Sequence, residues 1–136
     1  MPFLTELSIT PISPINWRLN QDLVYLAKSG AKITIKAGYV TDGESGKALL
    51  KDLLIKPNNY RQVTAFIHDA LYQAGMLKEW CDRLYYEMLL SLPIDPEDSK
   101  RLYEAVNLFG SESYDLDQKD IEKAHTALDH LHIELP

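Results

Sequence analysis

The organisation of this chain is decided by residues 63–75, VTAFIHDALYQAG. Apolar residues recur there at i, i+3, i+4 and i+7, the spacing that places them on one face of an α-helix. Asn58 or Asn59 can cap the start of this helix, and Gly75 can end it in the left-handed conformation. The pattern therefore predicts a helix whose core-facing side chains are Val63, Phe66, Ile67, Ala70, Leu71 and Ala74.

The other side of this helix carries side chains with useful chemistry. At about 100° per residue, His68 and Asp69 flank that side, and Ala65 and Tyr72 lie between them. A helix that serves only one core would be expected to carry Lys, Glu or Gln here. The set is compatible with a catalytic site, and also with a structural polar network, because a lone histidine is more often a hydrogen-bonded structural residue. Both interpretations stay open.

A second helix is predicted after the turn at Gly75. His68 lies seven residues before Gly75 and Asp82 lies seven residues after it. If the glycine begins a tight helical hairpin, both residues lie about 10 Å from the turn and face each other. The Asp82 carboxylate would then accept the proton of one imidazole nitrogen, which leaves the other nitrogen to act as a base. The apolar side of this helix is formed by Trp80, Cys81, Leu84, Tyr85, Met88 and Leu92.

Two more helices are expected towards the C-terminus. Asp95 is suited to cap the first one, with Pro96 in its first position, and Gly110 is suited to stop it. The next helix is expected to begin near Asp117, after a polar connector over residues 111–115. Its predicted inward side chains are Ile121, Ala124, Leu128 and Leu131.

The first forty residues follow a different pattern. Apolar and β-branched residues alternate with a period of two over residues 23–25 and 33–35, and residues 28–31 form a turn between them. Short runs of the same kind occur over residues 17–19 and 5–12. These runs predict a β-hairpin and a small antiparallel sheet.

The length and composition favour one globular domain. The chain has 136 residues, of which 46% are hydrophobic and 25% charged. We expect a single α+β domain over residues 1–136, with a small N-terminal antiparallel sheet or hairpin over residues 1–40. A bundle of about four α-helices is expected over residues 58–136.

Several function classes are disfavoured by the composition. Cys81 is the only cysteine, which excludes an intrachain disulfide and a cysteine-based zinc cage. The 14 Lys and Arg residues against 20 Asp and Glu give a net charge of −6, the wrong sign for general nucleic-acid binding. No apolar run approaches the ~20 residues of a membrane-spanning helix, and the start of the chain lacks the features of a signal peptide. A cytoplasmic location is therefore expected.

A loop is predicted between the two parts of the chain, over residues 37–46, AGYVTDGESG. It contains three glycines and four small polar or acidic residues. Such a backbone can approach a ligand or an ion closely. The candidate binding positions in this loop are Gly38, Thr41, Gly43 and Ser45.

The chain resembles a phage and prophage family of unknown function, DUF1353, over roughly residues 17–110. The matching positions are Trp17, Leu19, Tyr25, Ile33, Ile35, Gly38, Tyr39, Thr41, Asp42, Gly43, Ser45, His68, Asp69, Leu71, Tyr72, Asp82, Tyr103, Ala105, Val106 and Gly110. This chain departs from the family pattern in two places. Members usually have a proline before the Gly-aromatic pair, where this chain has Lys36-Ala37, and a proline and a basic residue soon after Ser45, where it has Gly46-Lys47-Ala48. The resemblance implies a protein of phage or prophage origin, located in the cytoplasm of the infected or lysogenic bacterial host or in the virion.

The predicted helix pair is also distantly similar to the core of phospholipase A2. That similarity implies His68 as general base, Asp69 as a Ca²⁺ ligand, Tyr72 as a supporting hydrogen-bond donor and Asp82 as the residue that orients His68. Loop carbonyls from residues 38–46 would complete the calcium site, with Asp42 as a further oxygen ligand. The Gly-Cys pattern and the disulfides of the phospholipase are absent from this chain.

Two functions are therefore compatible with the sequence. The first is a small hydrolase that activates water through His68 and Asp82 and cleaves an ester or amide bond in lipid or cell wall. The second is a non-catalytic accessory protein that binds a host or virion partner, with the His/Asp cluster as a structural network. Two lesser candidates are expected to have no functional role. Cys81 is expected to be a buried apolar residue, and His125, Asp129 and His132 are expected to form a solvated helix face rather than a metal site.

Overall fold

The fold is taken from a computed structural model of the chain, which describes residues 2–13, 16–41 and 59–136. Within the last range, the side chains of residues 59–62, 109, 112 and 113 are not described. The architecture is α+β, as predicted, with short antiparallel strands before a group of helices.

The strands of the described ranges form two three-stranded antiparallel sheets. One sheet has the order β1-β2-β5 and the other the order β3-β4-β6. Their bounds are β1 Ile9–Pro11, β2 Trp17–Leu19, β3 Leu23–Leu26, β4 Lys32–Ile35, β5 Val40–Thr41 and β6 Leu131–Glu134.

The predicted hairpin is the pair β3 and β4. Leu23 lies opposite Ile35 and Tyr25 lies opposite Ile33, and all four side chains are buried. The turn contains Gly30 at a φ of +94°, a conformation that glycine adopts without steric cost. The period-two alternation therefore identified both the strands and the face that packs on the core.

Five helices follow in the part of the chain that the structure describes. They are α1 Asn59–Gln73, α2 Lys78–Leu90, α3 Pro96–Phe109, α4 Ser111–Lys119 and α5 Ile121–His130. The Asp95 side chain accepts a hydrogen bond from the Glu97 amide at 2.8 Å, and Pro96 is the first residue of α3, as predicted. None of these helices is both long and apolar enough to span a membrane.

The C-terminal region differs from the prediction in two ways. The predicted polar connector over residues 111–115 is helical and belongs to α4, so two helices stand where one was expected. The extended backbone of Asp120 ends α4, and its carboxylate caps α5 by accepting a hydrogen bond from the Lys123 amide at 3.0 Å. The chain then leaves the helix at Leu131 and forms β6 beside β4, so His132 lies on a strand. The expected inward face is wrong for Ile121 and Leu128, which are exposed, whereas Leu131 is partly buried against the core. Ala127 is the buried residue of α5.

Helix α1 lies at the centre of the molecule. Every residue from 63 to 73 is buried, and α1 contacts α2, α4 and α5. Its apolar side chains share one core cluster with the inward side chains of β3 and β4, whereas Tyr85, Leu89, Leu102 and Val106 form a smaller cluster between α2 and α3. The side of α1 that carries His68 and Asp69 is therefore enclosed by other elements rather than solvated.

Candidate functional site

The turn between α1 and α2 brings the site together. Gly75 has a φ of +83°, its N–H donates to the Tyr72 carbonyl, and the Met76 N–H donates to the Leu71 carbonyl, both at 3.1 Å. These two bonds define a Schellman motif, which ends a helix and reverses the chain. Helix α2 begins three residues later, at Lys78, and runs back beside α1. Residues at equal distances from the glycine therefore meet.

His68 and Asp82 are brought together as the symmetry about Gly75 predicts. His68 Nε2 lies 2.9 Å from Asp82 Oδ1. The Asp82 side chain is 1% exposed and the His68 side chain 10% exposed. The Tyr72 hydroxyl donates to the same carboxylate oxygen, and Lys78 Nζ donates to Oδ2 at 2.6 Å. Asp82 therefore receives donors from a histidine, a phenol and an ammonium group.

These donors set the charge state of Asp82. Burial alone acts to raise the pKa of this carboxyl, but the hydrogen bonds from His68, Lys78 and Tyr72 outweigh it and hold the pKa below its ordinary value of 3.8. The carboxylate is therefore ionised at neutral pH. Burial, together with the neighbouring carboxylate, raises the pKa of Tyr72, so the phenol stays protonated and acts as a donor.

The ionised carboxylate also defines the histidine tautomer. A carboxylate only accepts hydrogen bonds, so Nε2 of His68 must carry the proton in the 2.9 Å contact. In the neutral ring, the lone pair then belongs to Nδ1. This is the tautomer of a histidine whose Nδ1 acts as a general base while a carboxylate holds the ring in place.

Aromatic rings restrict the movement of the imidazole. The centroid of the His68 ring lies 4.1 Å from that of Tyr72 and 4.8 Å from that of Tyr85. Helix α4 supports this arrangement, because Tyr114 packs edge-on against Tyr72 and donates to the Met76 carbonyl at 2.9 Å. The Gln118 amide donates to the Tyr72 carbonyl at 2.8 Å. The site is thus preorganised by side chains from three helices.

Lys78 is a member of the site that the sequence analysis missed. Besides Asp82, its ammonium group contacts the carbonyls of Val106 and Asn107 at 3.2 Å each, near the C-terminal end of α3. A cation is favoured at that end of a helix. The signal was present in the sequence, because a lysine four residues before an aspartate lies on the same helix face.

Asp69 points to a different neighbour from His68. It is 5% exposed, and the hydroxyl of Thr41 at the end of β5 donates to its Oδ2. This contact ties α1 to the β1-β2-β5 sheet. The carboxylate and the hydroxyl supply at most three oxygens, whereas Ca²⁺ takes six to eight. Among the described residues there is no group of three or more acidic, histidine or cysteine side chains that could hold a metal, so these residues do not complete a calcium site.

The predicted binding loop is placed only in part. Gly38 has a φ of +96° and its N–H donates to the Leu19 carbonyl at 2.8 Å, so it has a clear structural role in the chain reversal before β5. Thr41 contributes the contact with Asp69. Asp42, Gly43 and Ser45 lie outside the described residues, and their predicted roles stay predictions.

The two lesser candidates offer no second site. Burial, followed by the charge of Asp82, raises the pKa of Cys81 to about 12, so the thiol stays protonated in the core. His125 and Asp129 lie on the exposed side of α5, and His132 on β6 is 3.5 Å from Glu134. In the described ranges they form no metal-binding group.

Comparisons with known proteins place the chain in a family. No curated protein and no solved structure matches it, so the distant similarity to phospholipase A2 stays a prediction. A family model matches residues 17–106, which contain strands β2 to β5, the helix pair and the His68–Asp82 contact. The protein belongs to the family described as "Protein of unknown function (DUF1353)".

Proposed function

We propose that this protein is a small hydrolase in which His68 activates a water molecule. The observation that carries the proposal is the buried carboxyl group of Asp82, held by Tyr72 and Lys78 with one oxygen 2.9 Å from His68 Nε2. An oriented carboxylate behind an imidazole is the arrangement that catalytic triads use to hold a histidine in its basic tautomer.

The proposed reaction is the hydrolysis of an ester or amide bond. His68 Nδ1 takes a proton from water as the water oxygen bonds to the carbonyl carbon of the substrate. The imidazolium then returns that proton to the leaving oxygen or nitrogen as the bond to carbon breaks, which yields an acid and an alcohol or amine. Asp82 stabilises the transient imidazolium, and Lys78 offsets part of the carboxylate charge.

The substrate class follows from the resemblance rather than from the site. A phage or prophage setting favours esters or amides of the bacterial lipid or cell wall, encountered in the infected or lysogenic host or from the virion.

The proposed steps need no metal. A calcium titration followed by thermal unfolding tests the predicted cation. A rise in Tm that Asp69→Asn abolishes supports calcium binding at Asp69, and an unchanged Tm contradicts it.

The first prediction concerns His68 and uses His125 as a matched control. We expect His68→Gln to lower the turnover of a p-nitrophenyl ester at least about 100-fold, the usual contribution of a general base. His125→Ala changes an exposed histidine of α5 and should leave turnover unchanged. The Tm of each variant is measured in parallel. Wild-type turnover by His68→Gln, or no turnover by the wild type on ester and amide substrates, would contradict the proposal.

A second function is favoured by the burial of the same residues. With its ring between Tyr72 and Tyr85 and only 10% of its side chain exposed, His68 also fits a network that holds α1 against α2. The protein would then bind a host or virion protein without catalysis. In that case His68→Ala lowers the free energy of unfolding by about 1–3 kcal/mol, the cost of buried polar groups left without partners, and no hydrolysis is observed.

A further inference from the structure

A cavity away from the His68 ring lies between the end of β5, the last residue of α1 and the first turns of α5. Its volume is about 460 Å³, within the range of small-molecule sites. Apart from Val40, the residues that line it carry polar or charged groups on stems that supply much of its surface: Asn16, Thr41, Gln73, Glu122, Lys123 and Thr126. Small-molecule sites combine apolar surface with a few polar groups that orient the ligand. The polar and charged groups of this lining favour a small ligand that itself carries several polar groups.

Gln73 gives this cavity a buried donor. The side chain is 7% exposed, and its Oε1 accepts a hydrogen bond from the Tyr39 hydroxyl at 2.8 Å. That bond occupies the amide oxygen. Within the described part of the chain, the amide nitrogen Nε2 has no acceptor. Buried polar groups in proteins almost always have a partner, so this nitrogen calls for an acceptor from water or a ligand in the cavity.

Charges of both signs line the same cavity. Glu122 and Lys123 are exposed residues in the first turn of α5, and neither forms an ion pair with any residue that the structure describes. The ammonium of Lys123 and the amide of Gln73 are both donors, a combination that suits a carboxylate. The Glu122 carboxylate suits an ammonium group.

We propose that this cavity binds a small zwitterion of the amino-acid or dipeptide class. The carboxylate of the ligand pairs with Lys123 and the amide of Gln73, and its ammonium group pairs with Glu122. Thr41 is shared with the Asp69 contact, but the inference uses neither His68 nor Asp82. It therefore holds whether or not the protein is a hydrolase.

The test is a titration of the ¹⁵N-labelled protein with glycylglycine, followed by ¹H–¹⁵N correlation spectra. We expect saturable shifts of the Gln73 side-chain amide and of the backbone amides of residues 122–126. Blocking the ammonium (N-acetylglycine) or the carboxylate (glycinamide) should each weaken binding by about tenfold, the effect of losing one charge-assisted hydrogen bond. Unshifted signals at millimolar glycylglycine, or equal binding of all three compounds, overturn the proposal.

Two exposed lysines provide a matched pair of variants. Lys123→Ala removes the ammonium group at the cavity. Lys119→Ala removes the same group from the exposed last residue of α4, which does not line the cavity. We expect Lys123→Ala to weaken glycylglycine binding by about tenfold and Lys119→Ala to leave it unchanged. Both positions are on the surface, so both variants should fold. Equal affinity of the two variants overturns the proposed site.

Discussion

Two ion pairs on α2 differ by one residue in position and by their environment. Lys78 Nζ lies 2.6 Å from Asp82 Oδ2, and Arg83 lies 2.7 Å from Glu79 Oε1, both at i, i+4 spacing. The side chains of the first pair are 19% and 1% exposed, and those of the second are 71% and 75% exposed. The helix thus carries a buried and an exposed version of nearly the same contact.

The two pairs indicate that burial, rather than spacing, determines how much an ion pair affects the free energy of unfolding. With the acid N-terminal to the base, the exposed pair Glu79–Arg83 has the better orientation for an isolated helix. Such exposed pairs still contribute only about 0.3–0.5 kcal/mol, because water screens them. The Asp82 side chain is 1% exposed, so its charge depends on its protein donors, and losing any of them leaves a buried charge less compensated.

The largest expected effect comes from removing the buried charge itself. Asp82→Asn keeps the shape of the side chain but leaves Lys78 without its anion, so we expect the free energy of unfolding to fall by about 3–5 kcal/mol. Urea denaturation followed by circular dichroism measures the change. A loss below 1 kcal/mol would mean that burial does not distinguish the two pairs.

Replacing the cation of each pair in turn tests the difference between the buried and the exposed pair. Lys78→Met keeps an apolar stem but removes the charge that faces Asp82, and we expect a loss of about 2 kcal/mol in the free energy of unfolding, less than for Asp82→Asn because the lysine is partly solvated. Arg83→Met should change it by less than about 0.5 kcal/mol. Denaturation curves of the two variants, measured side by side, should therefore be clearly separated. Coinciding curves would contradict the account.

The pH dependence of stability should carry the signature of Asp82. Its pKa is lower in the folded protein than its ordinary value of 3.8, so below that value the unfolded chain binds more protons. The stabilisation is complete above about pH 4 and is lost as the pH falls through the folded pKa. Asp82→Asn lacks this contribution, so the gap in stability between wild type and variant should narrow in acid. A gap that stays constant from pH 7 to pH 3 would show that the carboxyl is not perturbed.

The smallest effect is expected where the sheet contacts α1. Thr41→Val removes the hydroxyl that donates to Asp69 while keeping the volume, and we expect a loss of about 1 kcal/mol in the free energy of unfolding. Thr34→Val on β4 is the control, because that residue is only half-buried and valine suits a strand. Thermal unfolding of both variants gives the comparison. Equal Tm values would show that the Thr41–Asp69 contact does not hold the sheet to the helix.

The parts of the fold that were predictable are those encoded by nearby residues. The β3–β4 hairpin follows from alternation and a glycine turn, and α1, α2 and α3 follow from periodicity and caps. The contact between His68 and Asp82 was predictable because one glycine turn fixes where two helices meet. Such local signals need no knowledge of the tertiary structure.

The missed parts depend on distant residues. Strand β6 was read as helix because its pairing partner β4 is about a hundred residues earlier, and a run of four residues carries a weak signal alone. The apolar residues Ile121 and Leu128 are exposed because the orientation of α5 is set by its contacts with the rest of the fold. The burial of Gln73 has no signal in the sequence, since it follows from the enclosure of α1 by other elements and not from a local pattern.

The central claim is that an ionised Asp82 holds His68 with its proton on Nε2. Long-range ¹H–¹⁵N correlation spectra of the imidazole report which ring nitrogen carries the proton, with His68→Gln used to assign the signal. The account predicts that, at neutral pH, Nε2 of His68 is protonated and Nδ1 is not. A proton on Nδ1 of the neutral ring would contradict it, because the nitrogen assigned as the base would then have no lone pair to offer.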